Sequence, residues 1–96
     1  MENNKLVLVQ AFCVHHQIEP AFIEALSEGG LVRVVEVENS KYLPEEDLKE
    51  VESMVSFHYE LGVNTEGIDV IRNLLTQIRQ LQQELKHARL RLDFYS

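Results

Sequence analysis

Apolar residues recur alternately three and four apart over the last third of the chain, at Ile71, Leu74, Ile78, Leu81, Leu85, Ala88 and Leu92. That spacing holds one side chain per turn on a single strip of a helix, the pattern of a heptad seam. No glycine or proline interrupts the seam, and Glu84 and Arg89 flank it. The predicted helix runs from about residue 66 to about residue 94. At a rise of about 1.5 Å per residue it is roughly 45 Å long, more than a small domain needs to cover its own core. The seven seam residues are therefore expected to pair with another helix, most simply that of a second copy.

The pattern ahead of this helix changes period several times. Residues 5–9 form a short run rich in valine and leucine that reads as a strand or as the lead-in to a helix. Residues 10–16 read as a short helix, with Phe12 and Cys13 apolar. Glu19-Pro20 starts another, because proline at the first helical position gives up an N–H that would be unpaired there anyway. Phe22, Ile23 and Leu26 recur at helical spacing, and Gly29-Gly30 ends the segment as a C-cap. Two short helices with a turn around residues 17–19 make a helix-turn-helix candidate. Residues 31–38 then alternate through Val32, Val34 or Val35, and Val37. Asn39-Ser40 supplies a turn, and Lys41-Tyr42-Leu43 returns as a second strand, a hairpin in the position of a wing. Pro44 opens the next helix, with Glu45, Glu46 and Asp47 at the positive end of its dipole. Leu48, Val51, Val55 and His58 mark its apolar stripe, and Gly62 closes it. Asn64 or Thr65 is available to cap the last helix. The expected organisation is a head over residues 1–62 and a long pairing helix over residues 63–96.

Charge is unevenly divided along this plan. The net charge is −7, yet residues 1–71 carry 14 acidic and 4 basic side chains, while residues 72–96 carry 2 acidic and 5 basic. Residues 6–32 hold no lysine or arginine. A nucleic-acid reader needs a basic footprint to neutralise phosphates, and the front of this chain has the opposite sign. The length of 96 residues bounds the chain to one small domain, a size at which oligomerisation is a natural source of stability. One cysteine excludes an intrachain disulfide and fits a reducing compartment. No apolar run reaches the eighteen or so residues of a membrane span. Residues 1–5 carry a single basic side chain with no long apolar stretch behind them, so a signal peptide is not expected and the cytoplasm is.

The order of elements resembles MerR-like winged helix-turn-helix proteins, whose terminal helices pair antiparallel in a dimer. Within that group the chain is similar to the chaperone-modulator (CbpM) branch. The similarity rests on Phe12-Cys13-Val14-His15 followed by Ile18, on Gly30-Leu31-Val32, and on His58-Tyr59-Glu60-Leu61 with Gly67-Ile68. It extends to the tail at Leu81, Glu84-Leu85 and Arg89-Leu90-Arg91-Leu92. The resemblance covers nearly the whole chain, its weight carried by order and spacing. It implies a mostly α fold with a small β-hairpin wing and a long C-terminal dimerisation helix. It also implies a non-enzymatic protein that binds the J-domain of a DnaJ-like co-chaperone and restrains its stimulation of Hsp70. J-domains present a basic helix, which the acid-rich front complements. The chain departs from DNA-binding relatives, which place an arginine and tyrosines on the second helix. Here that stretch is Phe22-Ile23-Glu24-Ala25-Leu26, and the wing carries Glu36 and Glu38 with Arg33 and Lys41 nearby. Metal-sensing relatives use cysteines near the pairing helix, and this chain has none there.

The partner-binding candidates are Glu19, Glu24, Glu28, Glu36 and Glu38. Glu24 and Glu28 lie one turn apart, opposite the face of Ile23 and Leu26. A solvated helix face is the alternative meaning of such charges. The absence of nearby cations in sequence favours docking, since ion pairs along a helix need both signs. Cys13, His15 and His16 lack the spacing of metal ligands, because sequence neighbours on a helix point to different sides. His58 reads as a core or interface histidine. Ser27, Ser40, Ser53 and Ser56 lie in no nucleophile motif, so no enzyme, cofactor or metal is expected. A MerR-type DNA-binding regulator and a coiled-coil adaptor remain the competing functions.

Overall fold

Two short helices separated by a three-residue turn, a hairpin and two further helices follow one another in the expected order. The computed structural model describes residues 5–95. It contains β1 (Leu6–Leu8), α1 (Val9–His16), α2 (Pro20–Glu28), β2 (Val35–Val37), β3 (Ser40–Pro44), a 3-10 turn (Glu45–Asp47), α3 (Leu48–Tyr59) and α4 (Thr65–Tyr95). The fold is mostly helical, a winged helix-turn-helix with a small antiparallel sheet and a long C-terminal helix. The expected start of the head at residues 1–4 lies outside the described residues.

The residues ahead of α1 do pair with the wing. β3 is central, with β1 on one side and β2 on the other. Leu6, Val7 and Leu8 face Pro44, Leu43 and Tyr42, and Val35, Glu36 and Val37 face Tyr42, Lys41 and Ser40.

Three local expectations are corrected. The hairpin turn is Glu38-Asn39, not Asn39-Ser40. Both residues have positive φ, at 50° and 68°, and that backbone matches the twist of a two-residue hairpin. The first wing strand begins at Val35 instead of near residue 31. The N–H groups of Leu31 and Val32 are still donating to the Leu26 carbonyl, at 2.8 and 3.4 Å, so this stretch belongs to the end of α2. Gly30, at φ +76°, makes that reversal possible. Pro44 ends β3 instead of opening a helix; the acidic residues 45–47 form the 3-10 turn, and α3 starts at Leu48. The helix proper ends at Tyr59, and Gly62, at φ +71°, closes it as expected, its N–H donating to the His58 carbonyl at 2.9 Å.

The core sits where α1, α2 and α3 meet the sheet. Ile23, Leu26, Leu43, Val51 and Ile68 are essentially sealed from solvent, with Phe12, Cys13, Phe22 and Met54 around them. Ile68 belongs to α4, so the packing of the head continues past residue 62. Three contacts pin the start of α4. The Asn64 side chain caps it by accepting the Gly67 N–H at 2.8 Å. Gly67 has no room for a side chain, since a Cβ there would fall 2.6 Å from Val63 Cγ1. One turn on, Arg72 donates to the carbonyls of Gly30 and Leu31 at 3.3 and 3.4 Å, holding α4 against the C-terminal end of α2.

Candidate functional site

The acidic candidates do not gather at one point. Glu24 and Glu28 are exposed on the outer face of α2, since the buried positions Phe22, Ile23 and Leu26 turn the opposite side to the core. Glu36 is brought to the same region by the sheet, because its cross-strand neighbour Lys41 lies 3.6 Å from Glu24. Glu38 occupies the exposed tip of the wing. Glu19 stands at the far end of α2, where its backbone N–H donates to Tyr59 Oη at 3.2 Å.

The pairing of Glu24 with Lys41 corrects the sequence argument. No cation lies near Glu24 along the chain, but the hairpin carries Lys41 back against α2. Arg33, the other cation of the wing region, is held by Glu46 at 2.7 Å and Asp47 at 3.2 Å. Hydrogen bonds to those two carboxylates raise its pKa above the ordinary guanidinium value. These pairs are exposed, so each contributes little to stability. Their importance is to the surface field. Among the described residues, no ion pair engages Glu28, Glu36 or Glu38.

Other side chains singled out in the sequence have structural roles. His58 stacks on Phe22, with ring centroids 4.5 Å apart, and its Nδ1 donates to the Val63 carbonyl at 2.8 Å. It ties the C-terminal end of α3 to the link before α4, as expected of a core histidine. His16 packs on Phe12 and reaches within 3.6 Å of Glu52. Among the described residues no cluster of three or more potential metal ligands occurs. None of their helices is long and apolar enough to cross a membrane.

Cys13 is buried in the core, and desolvation pushes its thiol pKa upward. The folded protein is therefore expected to react slowly with a maleimide at neutral pH, and rapidly once unfolded by urea. The same shift has a stability consequence with a definite sign. Because the folded pKa is the higher one, the unfolded chain releases its thiol proton first as pH rises. Stability should be unaffected by this group below about pH 8.5 and should fall as pH climbs through the folded value. Urea titrations at rising pH, compared with Cys13→Ala, check this.

The seam residues of α4 stand clear of the head. Counting about 100° per residue, Ile68, Arg72, Leu75 and Arg79 project toward α3, and the centre of the seam lies about 120° around the helix from them. Ile71 and Ala88 are half-buried, while Leu74, Ile78, Leu81, Leu85 and Leu92 are exposed. Val70, also exposed, widens the strip. At about 1.5 Å per residue the 31 residues of α4 run for roughly 46 Å.

Comparison with known proteins agrees with this architecture. A family model described as MerR HTH family regulatory protein matches residues 7–90, from the first strand through the wing and most of α4. No curated protein and no solved structure matches significantly. The match spans the head and the long helix together, so the chain belongs to the MerR helix-turn-helix family of regulatory proteins.

Proposed function

We propose that this protein is a homodimeric modulator of a J-domain co-chaperone, binding the basic surface of the J-domain through its acidic heads and keeping it from stimulating Hsp70. The observation that carries the reading is the electrostatics of α2 and the wing. A winged helix-turn-helix reaches phosphates with cations on these two elements. In this chain their neighbourhood presents Glu24, Glu28, Glu36 and Glu38, and its two cations, Arg33 and Lys41, are engaged by carboxylates. Such a surface repels DNA and attracts a basic protein.

The seam of α4 supports the dimer. Five large aliphatic side chains along one helix strip are exposed in the single chain, and burying them against their own copies removes that cost. The charge division favours an antiparallel arrangement, which sets each basic tail beside the acidic head of the other protomer. A parallel pair would set two heads of like charge together.

The test is a calorimetric titration with the J-domain of the co-chaperone from the same organism, at low and at moderate salt. Glu28→Lys is the cleaner charge reversal because Glu24→Lys also removes the ion pair with Lys41 and sets a second cation beside it. The pair of reversals is expected to weaken binding roughly tenfold at low salt, mainly through slower association, with little change in fold. Unchanged affinity would remove α2 from the interface. Failure of the J-domain to bind at about tens of micromolar, together with a salt-sensitive shift of duplex DNA, would favour a DNA-binding regulator instead.

A further inference from the structure

The sheet has two faces, and its register assigns every side chain to one of them. Directly opposed residues of antiparallel strands share a face. Leu43 is fully buried, and its partner Val7 packs against the core, so these define the inner face. Lys41 and Glu36 follow on that side toward α2. The outer face then carries Leu6, Leu8, Val35, Val37 and Tyr42, with Ser40 beside Val37 and the buried Pro44 beside Leu6 at its edges. Leu8, Tyr42 and Val35 form one row across all three strands. Leu6, Leu8 and Val37 are 39%, 37% and 43% exposed, and none of the five packs against the buried cluster.

This inverts the usual arrangement. An antiparallel sheet resting on a core by one face ordinarily turns polar side chains to water on the other. In β2 the polar residue is Glu36, which the register puts on the inner side beyond the edge of the core, where it and Lys41 are exposed, while both valines point outward. An apolar face made by three strands, buried only at its Pro44 corner, is the kind of feature that marks an interaction site.

The surroundings indicate what covers it. Glu38 sits at the hairpin tip, at one end of β3, and Glu45 follows its other end; both are exposed. Three strands about 4.8 Å apart match the width of one α-helix with its side chains, about 10–12 Å. Exposed ion pairs contribute too little by themselves to hold a specific complex, so an acidic head needs an apolar anchor as well. We propose that the outer sheet face is the anchoring surface for a basic amphipathic helix of a partner protein. Its apolar stripe would lie on Leu6, Leu8, Val35, Val37 and Tyr42, with lysines or arginines toward Glu38 and Glu45. The proposal rests on the reading that the head binds a basic protein, and it divides the labour: α2 charges speed the encounter, and the sheet face supplies the lasting contact.

The test uses the full chain and the double variant Leu8→Thr/Val37→Thr, which keeps residues suited to strands while removing apolar surface. Circular dichroism melts verify its fold; should it be unstable, Val37→Thr alone is used. Both proteins are titrated with the J-domain, and separately with a synthetic helical peptide bearing a leucine stripe flanked by lysines. Binding of each probe is expected to weaken at least about tenfold in the double variant, with the mass of the wild-type assembly retained. Equal affinity of wild type and variant for the peptide overturns the proposal, as does a peptide that binds neither. If the J-domain binds neither protein while the peptide still discriminates, the J-domain reading falls and the sheet face stands. If the variant loses self-association, the face belongs to a second copy and the proposal is wrong.

Discussion

Replacing Leu81 with lysine is expected to dissociate the assembly into single chains while leaving its helix intact. Leu81 lies near the middle of the seam, 63% exposed in the isolated chain. At that position each Leu81 meets the same region of the other helix, whichever way the helices run. Burial of one leucine contributes about 1.5–3 kcal/mol. The symmetric pair loses it twice and also sets two ammonium groups close together. A loss of roughly 3–6 kcal/mol raises the dissociation constant by about two to four decades. Lysine is a good helix former, so helical content should be preserved. Sedimentation equilibrium over a concentration series reads the change directly. A wild-type chain that is monomeric at about tens of micromolar would mean that the seam receives a helix of another protein, and an unchanged mass for the variant would place the contact elsewhere.

The second large effect is expected from Leu26→Ala. Leu26 is fully buried on the inner side of α2, among Ile23, Leu43, Val51 and Ile68. Its carbonyl also accepts the N–H groups of Leu31 and Val32. Those backbone bonds survive the substitution, so the loss is one of packing. Truncating a leucine in such a site costs about 2–5 kcal/mol, against a total of about 5–15 kcal/mol for a domain of this kind. For a chain of this size the midpoint of thermal unfolding should drop by roughly 10–30 °C. The melt must be compared at one protein concentration, because the proposed self-association would stabilise the folded chain by mass action. Val14→Ala is the control: Val14 is on α1 but largely exposed, and its loss should leave the midpoint almost unmoved. A drop no larger than the control's would mean that the core is not centred on α2.

Both effects trace to patterns readable along the chain. The spacing of Phe22, Ile23 and Leu26 marks a buried face on a short helix, and the run from Ile71 to Leu92 marks a seam. Either pattern depends only on 3.6 residues per turn, a local property. The proline before Phe22, the asparagine before α4 and the glycines after α2 mark element ends for similarly local reasons. The strands were less legible. Pro44 looks like a helix start to any local rule, yet pairing with Leu6 keeps it in β3. The hairpin turn moved by one residue because the register is chosen by which side chains reach the core, and Leu43 must face inward.

The candidate site shows the same division more sharply. The sign of the head's charge, the basic excess of the tail, the succession of elements and the two apolar helix faces are all legible along the chain. Each of these is a sum or a short-range period, so folding cannot alter it. The tertiary structure alone decided that Lys41 answers Glu24 and that Arg33 answers Glu46 and Asp47. It also decided that Arg72 locks α4 to the end of α2, with partners 41 and 42 positions away. It alone shows the apolar outer sheet face, whose five residues come from three separated segments and share a surface only through the strand register. Contacts of that kind depend on how distant stretches are brought together, which no spacing along the chain records.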